Sequence, residues 1–305
     1  MQQYFEYATE VKNALQHKKP VLALESTIIT HGMPHPQNLE TALAVEELAR
    51  ENHVTPATIA IMNGKIKIGL SRDDLKALAS HDSQKASTRD IPYFLSQRVN
   101  AGTTVAATLF CAHRAGIRVF ATGGIGGVHH GSSQDISADL IELSRTPIAV
   151  VCAGAKAILD LPRTLEFLET HNIPVVGYRT TNLPAFYTAR TPYPLNCRID
   201  SMASLVDLLN IHWQLDMTSA VLVTNPISAD DEIPASIIEP VIEIALQSAH
   251  EKKIFGKAIT PFLLSEIAAV TKGKSMAANI SLIKNNVRLG AQLAAAISQG
   301  NDYAL

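Results

Sequence analysis

Cysteine is scarce: Cys111, Cys152 and Cys197 are the only three in 305 residues, and no two are spaced CxxC. So sparse and irregular a set excludes a disulfide framework and a structural zinc site, and fits reduced thiols in a cytoplasmic protein. An excess of one charge is also missing, since 26 basic and 28 acidic side chains leave a net charge of -2. Nucleic acid is therefore not an expected partner. No apolar run approaches the ~20 residues of a spanning helix, and "MQQYFEYATEVKNAL" lacks the basic and apolar regions of a signal peptide. A soluble cytoplasmic protein without membrane partners is expected. No Pro/Ser-rich linker, charge block or internal repeat marks a boundary, so residues 1–305 are expected to form a single domain.

What the chain does contain is 47% apolar residues, enough for a sizeable core, arranged in a recurrent pattern. Short β-rich runs occur at "PVLALES" (20–26), "ATIAIMN" (57–63), "IRVFAT" (117–122), "PIAVVCA" (147–153), "IPVVGY" (173–178) and "SAVLVTN" (219–225). Several are apolar at consecutive positions, as strands covered on both faces are. Helical patterns lie between them. "PQNLETALAVEELAREN" has Pro36 at a first-turn site and Leu39, Ala42, Leu43 and Leu48 on one face; Ser71 and Pro162 mark two further helix starts. Three helical segments, separated by glycine or proline, fill the last eighty residues. This alternation predicts an α/β fold, a three-layer α/β/α arrangement around a mainly parallel or mixed central sheet, with a helical C-terminal part.

In open parallel sheets ligands gather beyond the carboxyl ends of the strands. Glu25, Ser26 and Thr27 follow the first run, Thr122 and a glycine cluster the third, Lys156 the fourth and Asn225 the sixth. The cluster "TGGIGGVHHG" has four glycines in five residues, which permits positive φ angles and close approach of backbone N–H groups to an anion. It matches neither GxGxxG nor a P-loop, and a tight turn without a ligand is the competing reading.

Asp135, Ser137 and Asp139 in "QDISADLIELS" stand around a helix start, where they are either caps or an oxygen-ligand site for Mn²⁺ or Mg²⁺. His129 and His130 lie in the loop before them. Lys156 sits among Ala155, Ala157 and Ile158; apolar surroundings favour an uncharged amine able to attack a carbonyl, the alternative being a side chain that snorkels to solvent. For Glu25 the same logic favours a neutral acid that donates a proton, against a strand-end carboxylate paired with a lysine. Lys85 and Arg89 either clamp a phosphate or are solvated turn charges, and Thr103 and Thr104 stand at a helix start whose backbone donors face outward.

Taken together, "ALESTIITHGMP", "PATIAI", "TTVAAT", "FATGGIGGVHHG", "DISADL", "VCAGAKAILD", "LPAF", "NPI" and "TPFLL" resemble the pseudouridine-5'-phosphate glycosidases, or indigoidine synthase A-like proteins, from about residue 18 to 300. The resemblance implies a metal-dependent, homotrimeric α/β enzyme that reversibly splits pseudouridine 5'-phosphate into uracil and ribose 5-phosphate. By position in the matching blocks, Lys156 would be the covalent nucleophile, Glu25 the proton donor and Asp135 the Mn²⁺ ligand. Lys85, Val105, Ser137, Ala138 and Asp139 would contact substrate. Thr104, Thr122 and His129 join them as pocket members, and Asn279 in "AANISLIKNN" resembles the residue that reads the uracil edge. The chain departs from the family pattern in a loop "HHGSSQD" that is about two residues short, with His130 in place of a common arginine.

Pseudouridine joins ribose C1' to a carbon of uracil, so two-carboxylate glycosidase logic does not transfer. A lysine adduct of the ring-opened sugar meets that difficulty. A class I aldolase acting on another sugar phosphate, and a non-catalytic sugar-phosphate sensor, are the rival readings.

Overall fold

The computed structural model describes residues 2–80, 83–131 and 135–300. The N-terminal half contributes strands β1 (Phe5–Tyr7), β2 (Val21–Leu24), β3 (Thr55–Met62), β4 (Lys65–Ile68), β5 (Gln84–Ala86), β6 (Ala101–Thr103), β7 (Val119–Ala121), β8 (Val128–His129) and β9 (Ala149–Cys152). Strands β10 (Leu159–Asp160), β11 (Val175–Tyr178), β12 (Cys197–Ile199) and β13 (Val221–Thr224) complete the set. Among the described residues, eleven strands form one sheet in the order β1-β4-β3-β2-β7-β9-β13-β11-β12, with β6 joined to β3 and β5.

From β3 to β12 every neighbouring pair is parallel. At the other end β4 and β6 join β3 antiparallel. The sheet is thus mixed, with a parallel majority. All six expected strands are present, and every residue of β2, β9 and β13 is buried because both faces are covered. β8 and β10 form a separate antiparallel ribbon that ties His129 to Leu159.

The helices are α1 (Thr9–Gln16), α2 (Gln37–Glu51), α3 (Arg72–Ser80), α4 (Ile91–Gln97), α5 (Val105–Arg114), α6 (Ala138–Leu143), α7 (Leu161–Thr170), α8 (Met202–Gln214), α9 (Ala235–Glu251), α10 (Ile259–Val270) and α11 (Lys274–Gly300). Ser71 caps α3, its Oγ accepting from the Asp74 N–H at 3.0 Å, and Pro162 lies in the first turn of α7. The three C-terminal helices are α9, which runs on through Pro240, α10 and α11. α11 packs against β2, β7 and β9. Gly290 lets it come close, since a Cβ there would lie 3.0 Å from Leu22 Cδ1 and 3.1 Å from Ala121 Cβ.

The face expected of α2 is displaced. Its buried stripe is Asn38, Thr41, Ala42, Val45, Glu46 and Ala49, while Leu39, Leu43 and Leu48 are half-buried, and Pro36 is the N-cap residue outside the first turn. Burial of the polar members is offset by specific partners. Asn38 Nδ2 donates to the carbonyls of Ile29 (2.7 Å) and Ala79 (3.1 Å), and Thr58 Oγ1 donates to Glu46 Oε1 (2.6 Å). No described helix is long and apolar enough to cross a membrane.

Candidate active site

The order of the sheet decides which side chains meet. β2, β7 and β9 are neighbours and parallel, so the residues just beyond them, Glu25, Thr122 and the segment leading to Lys156, emerge side by side. Glu25 is held on both oxygens: Thr122 Oγ1 donates to Oε1 and Thr27 Oγ1 to Oε2. Beyond β9 the chain turns at Gly154, whose φ is +81° and where a Cβ would lie 2.0 Å from the Pro184 carbonyl oxygen; only glycine fits. The turn brings half-buried Lys156 back over the glycine loop, where its Nζ donates to the Gly124 carbonyl at 2.8 Å.

The glycine cluster works differently from its sequence-based expectation. None of Gly123, Gly124, Gly126 and Gly127 has a positive φ. Their value is close approach: a Cβ on Gly126 would stand 2.2 Å from Ser137 Oγ and 2.7 Å from Asp139 Oδ2, and one on Gly124 would strike the Phe186 ring. The anion that the loop meets is one of the protein's own. Asp139 Oδ2 accepts from the Gly126 N–H and Oδ1 from the Ala106 N–H in the first turn of α5, both at 2.9 Å. Buried Asp139 therefore ties the glycine loop to a helix N-terminus, a favourable position for a carboxylate. Thr104 and Ser137 are caps, Thr104 Oγ1 accepting from the Ala107 N–H (3.3 Å) and Ser137 Oγ from the Asp139 N–H (3.2 Å).

Lys85 projects from β5 into the same space. Burial pushes its ammonium below the usual lysine range, the positive charge of Lys156 pushes it further, and the charges of Asp139 and Glu25 oppose both. His31, in the turn Ile28–Gly32, is held below its ordinary value by burial and then by Lys85. Burial also lowers His129, against the Asp135 carboxylate. Two atoms stand out. His129 Nδ1 and Asn279 Oδ1 are buried at the cavity without a hydrogen-bond partner from the protein, so each is available to a polar group in the cavity.

These groups surround a cavity of about 230 Å³. Of the residues expected at the site, Glu25, Lys85, Thr104, Val105, His129, Asp135, Ser137, Ala138, Asp139, Lys156 and Asn279 line it; Thr122 stands behind Glu25. Arg89 lines it too. Thr103 lies in β6, its hydroxyl donating to the Ile59 carbonyl (2.6 Å), and Asn225 reaches Asn286 (3.1 Å) rather than the cavity.

His31, Phe186 and Lys257 line the cavity without having been singled out from the sequence. The first two lie inside "ALESTIITHGMP" and "LPAF", so a signal was present. Lys257 had none. It approaches from the segment before α10, and its Nζ donates to Asp90 Oδ2 (2.7 Å) and the Lys85 carbonyl (3.3 Å). Residues 132–134 of the loop "HHGSSQD" lie outside the described residues, and among those described no three His, Cys, Asp or Glu side chains gather as a metal-binding group.

Fold and site together define an α/β protein whose strand ends bring an amine, a carboxyl group and further cations around one small cavity, a layout that suits a small anionic molecule. The chain belongs to the indigoidine synthase A-like family, whose model matches residues 10–296. It is 51% identical to the pseudouridine-5'-phosphate glycosidase of Geobacillus kaustophilus, over 98% of this chain and 100% of that one. With the protein of the same name from Dinoroseobacter shibae the identity is 54%, over 94% and 95%. Among solved structures, the prealnumycin C-glycosynthase AlnA in complex with ribulose 5-phosphate superposes with a TM-score of 0.91 at 37% identity, covering 99% of both chains.

Proposed function

We propose that this protein reversibly cleaves the carbon–carbon glycosidic bond of pseudouridine 5'-phosphate, giving uracil and ribose 5-phosphate. The observation that carries the reading is the meeting of Lys156 and Glu25, from beyond the ends of the two strands that flank β7, in one cavity, in a chain about half identical along its length to glycosidases of that substrate. Glu25 gives a proton to the ribose ring oxygen and the ring opens. Lys156 Nζ, after giving up a proton, adds to C1' where the ring oxygen leaves; the adduct nitrogen passes a proton to the Glu25 carboxylate, its lone pair expels uracil as that proton goes to the ring carbon, and water hydrolyses the resulting iminium to ribose 5-phosphate and the free amine. The two threonine hydroxyls that hold Glu25 can each donate or accept, so they keep the carboxyl in place in either protonation state.

Lys85, beside Arg89, forms a cationic side of the cavity and suits the phosphate. Fixing the phosphate there makes attack at C1' effectively intramolecular. Asn279 and His129 offer the unpartnered polar atoms that a uracil edge or sugar hydroxyl would satisfy.

Asp135 is the residue proposed to hold Mn²⁺, or Mg²⁺ in its place. Such ions keep several waters and often take only one or two carboxylates, which suits a half-buried carboxylate at the cavity wall with no further acidic cluster among the described residues. When bound, the ion would orient water and sugar hydroxyls. A single catalytic domain in a homotrimer belongs to the same proposal.

Trapping with borohydride in the presence of ribose 5-phosphate, read by peptide mass spectrometry, tests the mechanism. A reduced pentose phosphate adduct on Lys156 is the expected result, alongside release of free uracil from pseudouridine 5'-phosphate by the untreated protein. An adduct on Lys85 or Lys257 would refute the assignment. Adduct formation without uracil release would favour the aldolase reading, and tight binding with neither would favour the sensor.

A further inference from the structure

Asn286 lies inside α11, is completely buried, and touches neither the cavity nor solvent. Its Nδ2 donates to the carbonyl oxygens of Thr122 (2.8 Å) and Gly123 (3.3 Å). Both oxygens can only accept, which fixes the orientation of the amide. Its Oδ1 accepts from Asn225 Nδ2 at 3.1 Å, and the Asn225 N–H donates to the Cys152 carbonyl at 2.8 Å, so the chain of hydrogen bonds ends on β9.

The loop so anchored carries the partners of both reacting groups. Thr122 supplies the hydroxyl on Glu25, and Gly124, two residues on, supplies the carbonyl that receives Lys156 Nζ. α11 serves as the ruler. Asn279, Ile283, Asn286 and Gly290 follow at spacings of four, three and four and share one face. Gly290 seats the helix against β2 and β7, Ile283 stands where a Cβ on Gly123 would be 3.0 Å away, and Asn279 reaches the cavity.

We infer that Asn286 is a positioning residue, which holds the strand-end loop so that Glu25 and Lys156 face the same reacting carbon. This rests on the proposed reaction for its kinetic consequence, though not for its structural one. In Asn286→Ala, kcat for uracil release falls roughly ten- to a hundredfold, the size of loss that a small misplacement of reacting groups produces, while KM stays within about threefold because the phosphate side is untouched. Asn225→Ala, which removes only the support of Oδ1, gives a smaller fall in the same direction. Amide hydrogen exchange should rise over residues 122–126 in both variants.

Wild-type kcat in folded Asn286→Ala or, should that variant not fold, wild-type kcat and exchange in Asn225→Ala, would overturn the inference. So would a loss of thermal stability with unchanged kcat, the mark of a merely structural residue. If the wild-type protein releases no uracil, the functional reading fails by itself, and unchanged exchange over 122–126 would then be what refutes the positioning role.

Discussion

The two sides of the cavity are finished to different degrees. On the side of the strand ends the three charged groups have protein partners: Glu25 two threonine hydroxyls, Lys156 the Gly124 carbonyl and Asp139 two backbone N–H groups, with Asn286 holding the loop from behind through two carbonyls. On the facing side His129 Nδ1 and Asn279 Oδ1 are buried with none. An unmet buried acceptor costs about 1–3 kcal/mol, a cost that a ligand completing the bond removes. The reacting groups are thus preorganised by the chain, and the recognising groups are left for the substrate to satisfy.

On that division, substitutions on the first side damage rate or folding and those on the second damage affinity. The largest effect is expected from Glu25→Gln, which keeps an acceptor and a donor for Thr27 and Thr122 but has no acidic proton. Uracil release should fall by about 10²–10⁴ in kcat, the usual contribution of a positioned general acid, with thermal stability near that of the wild type. A variant as active as the wild type would leave Glu25 a structural carboxylate.

Asp139→Asn is next. Both carboxylate oxygens accept from backbone N–H groups, so the amide NH₂ must face one of those donors. That leaves a buried N–H unpaired and opposed, which costs roughly 1–3 kcal/mol. Calorimetry should show a clear drop in Tm, and activity should fall with it as the glycine loop and α5 separate. Unchanged Tm together with raised KM would show Asp139 to be a substrate ligand first and a tie second.

The same contrast explains what the sequence revealed. The parallel core was legible because its strands are consecutive apolar residues, and Glu25, Thr122 and Lys156 were legible because chemistry in such sheets follows strand ends. The α2 face was misread for a physical reason: Asn38 and Glu46 are buried on hydrogen bonds to Ile29, Ala79 and Thr58, partners invisible to a hydrophobic pattern. The glycine cluster was open to two readings, an anion cradle or a tight turn, because a sequence does not show that Asp139 folds back to accept the Gly126 N–H. Asn286 was missed altogether, since its partners are Thr122 and Gly123, more than 160 residues earlier, and nothing in a helical run marks one asparagine as an anchor.

Asn279→Ala sharpens the comparison from the other side. Its Oδ1 has no protein partner to lose, so stability should hold or rise slightly, whereas KM for pseudouridine 5'-phosphate should increase about three- to tenfold, the worth of one neutral hydrogen bond. Equal losses of stability and affinity would mean that the facing side is also built for support.

The smallest effect concerns His31, which belongs to neither group cleanly: its Nδ1 is 2.7 Å from Thr30 Oγ1, yet it lines the cavity beside Lys85. Burial first and the Lys85 charge second lower its folded pKa from the ordinary 6.5. The unfolded chain therefore takes up this proton at a higher pH than the folded protein does. Its contribution to stability is fully present above 6.5 and is lost as pH falls below that value toward the folded pKa. His31→Gln should flatten the decline of Tm with acidification below 6.5 by no more than about 2–4 °C. Ribose 5-phosphate should flatten it in the wild type as well, because a phosphate beside Lys85 offsets the positive charge that opposes protonation of His31. An identical Tm slope in His31→Gln, or a wild-type slope indifferent to ribose 5-phosphate, would separate His31 electrically from Lys85 and move the phosphate to another part of the cavity.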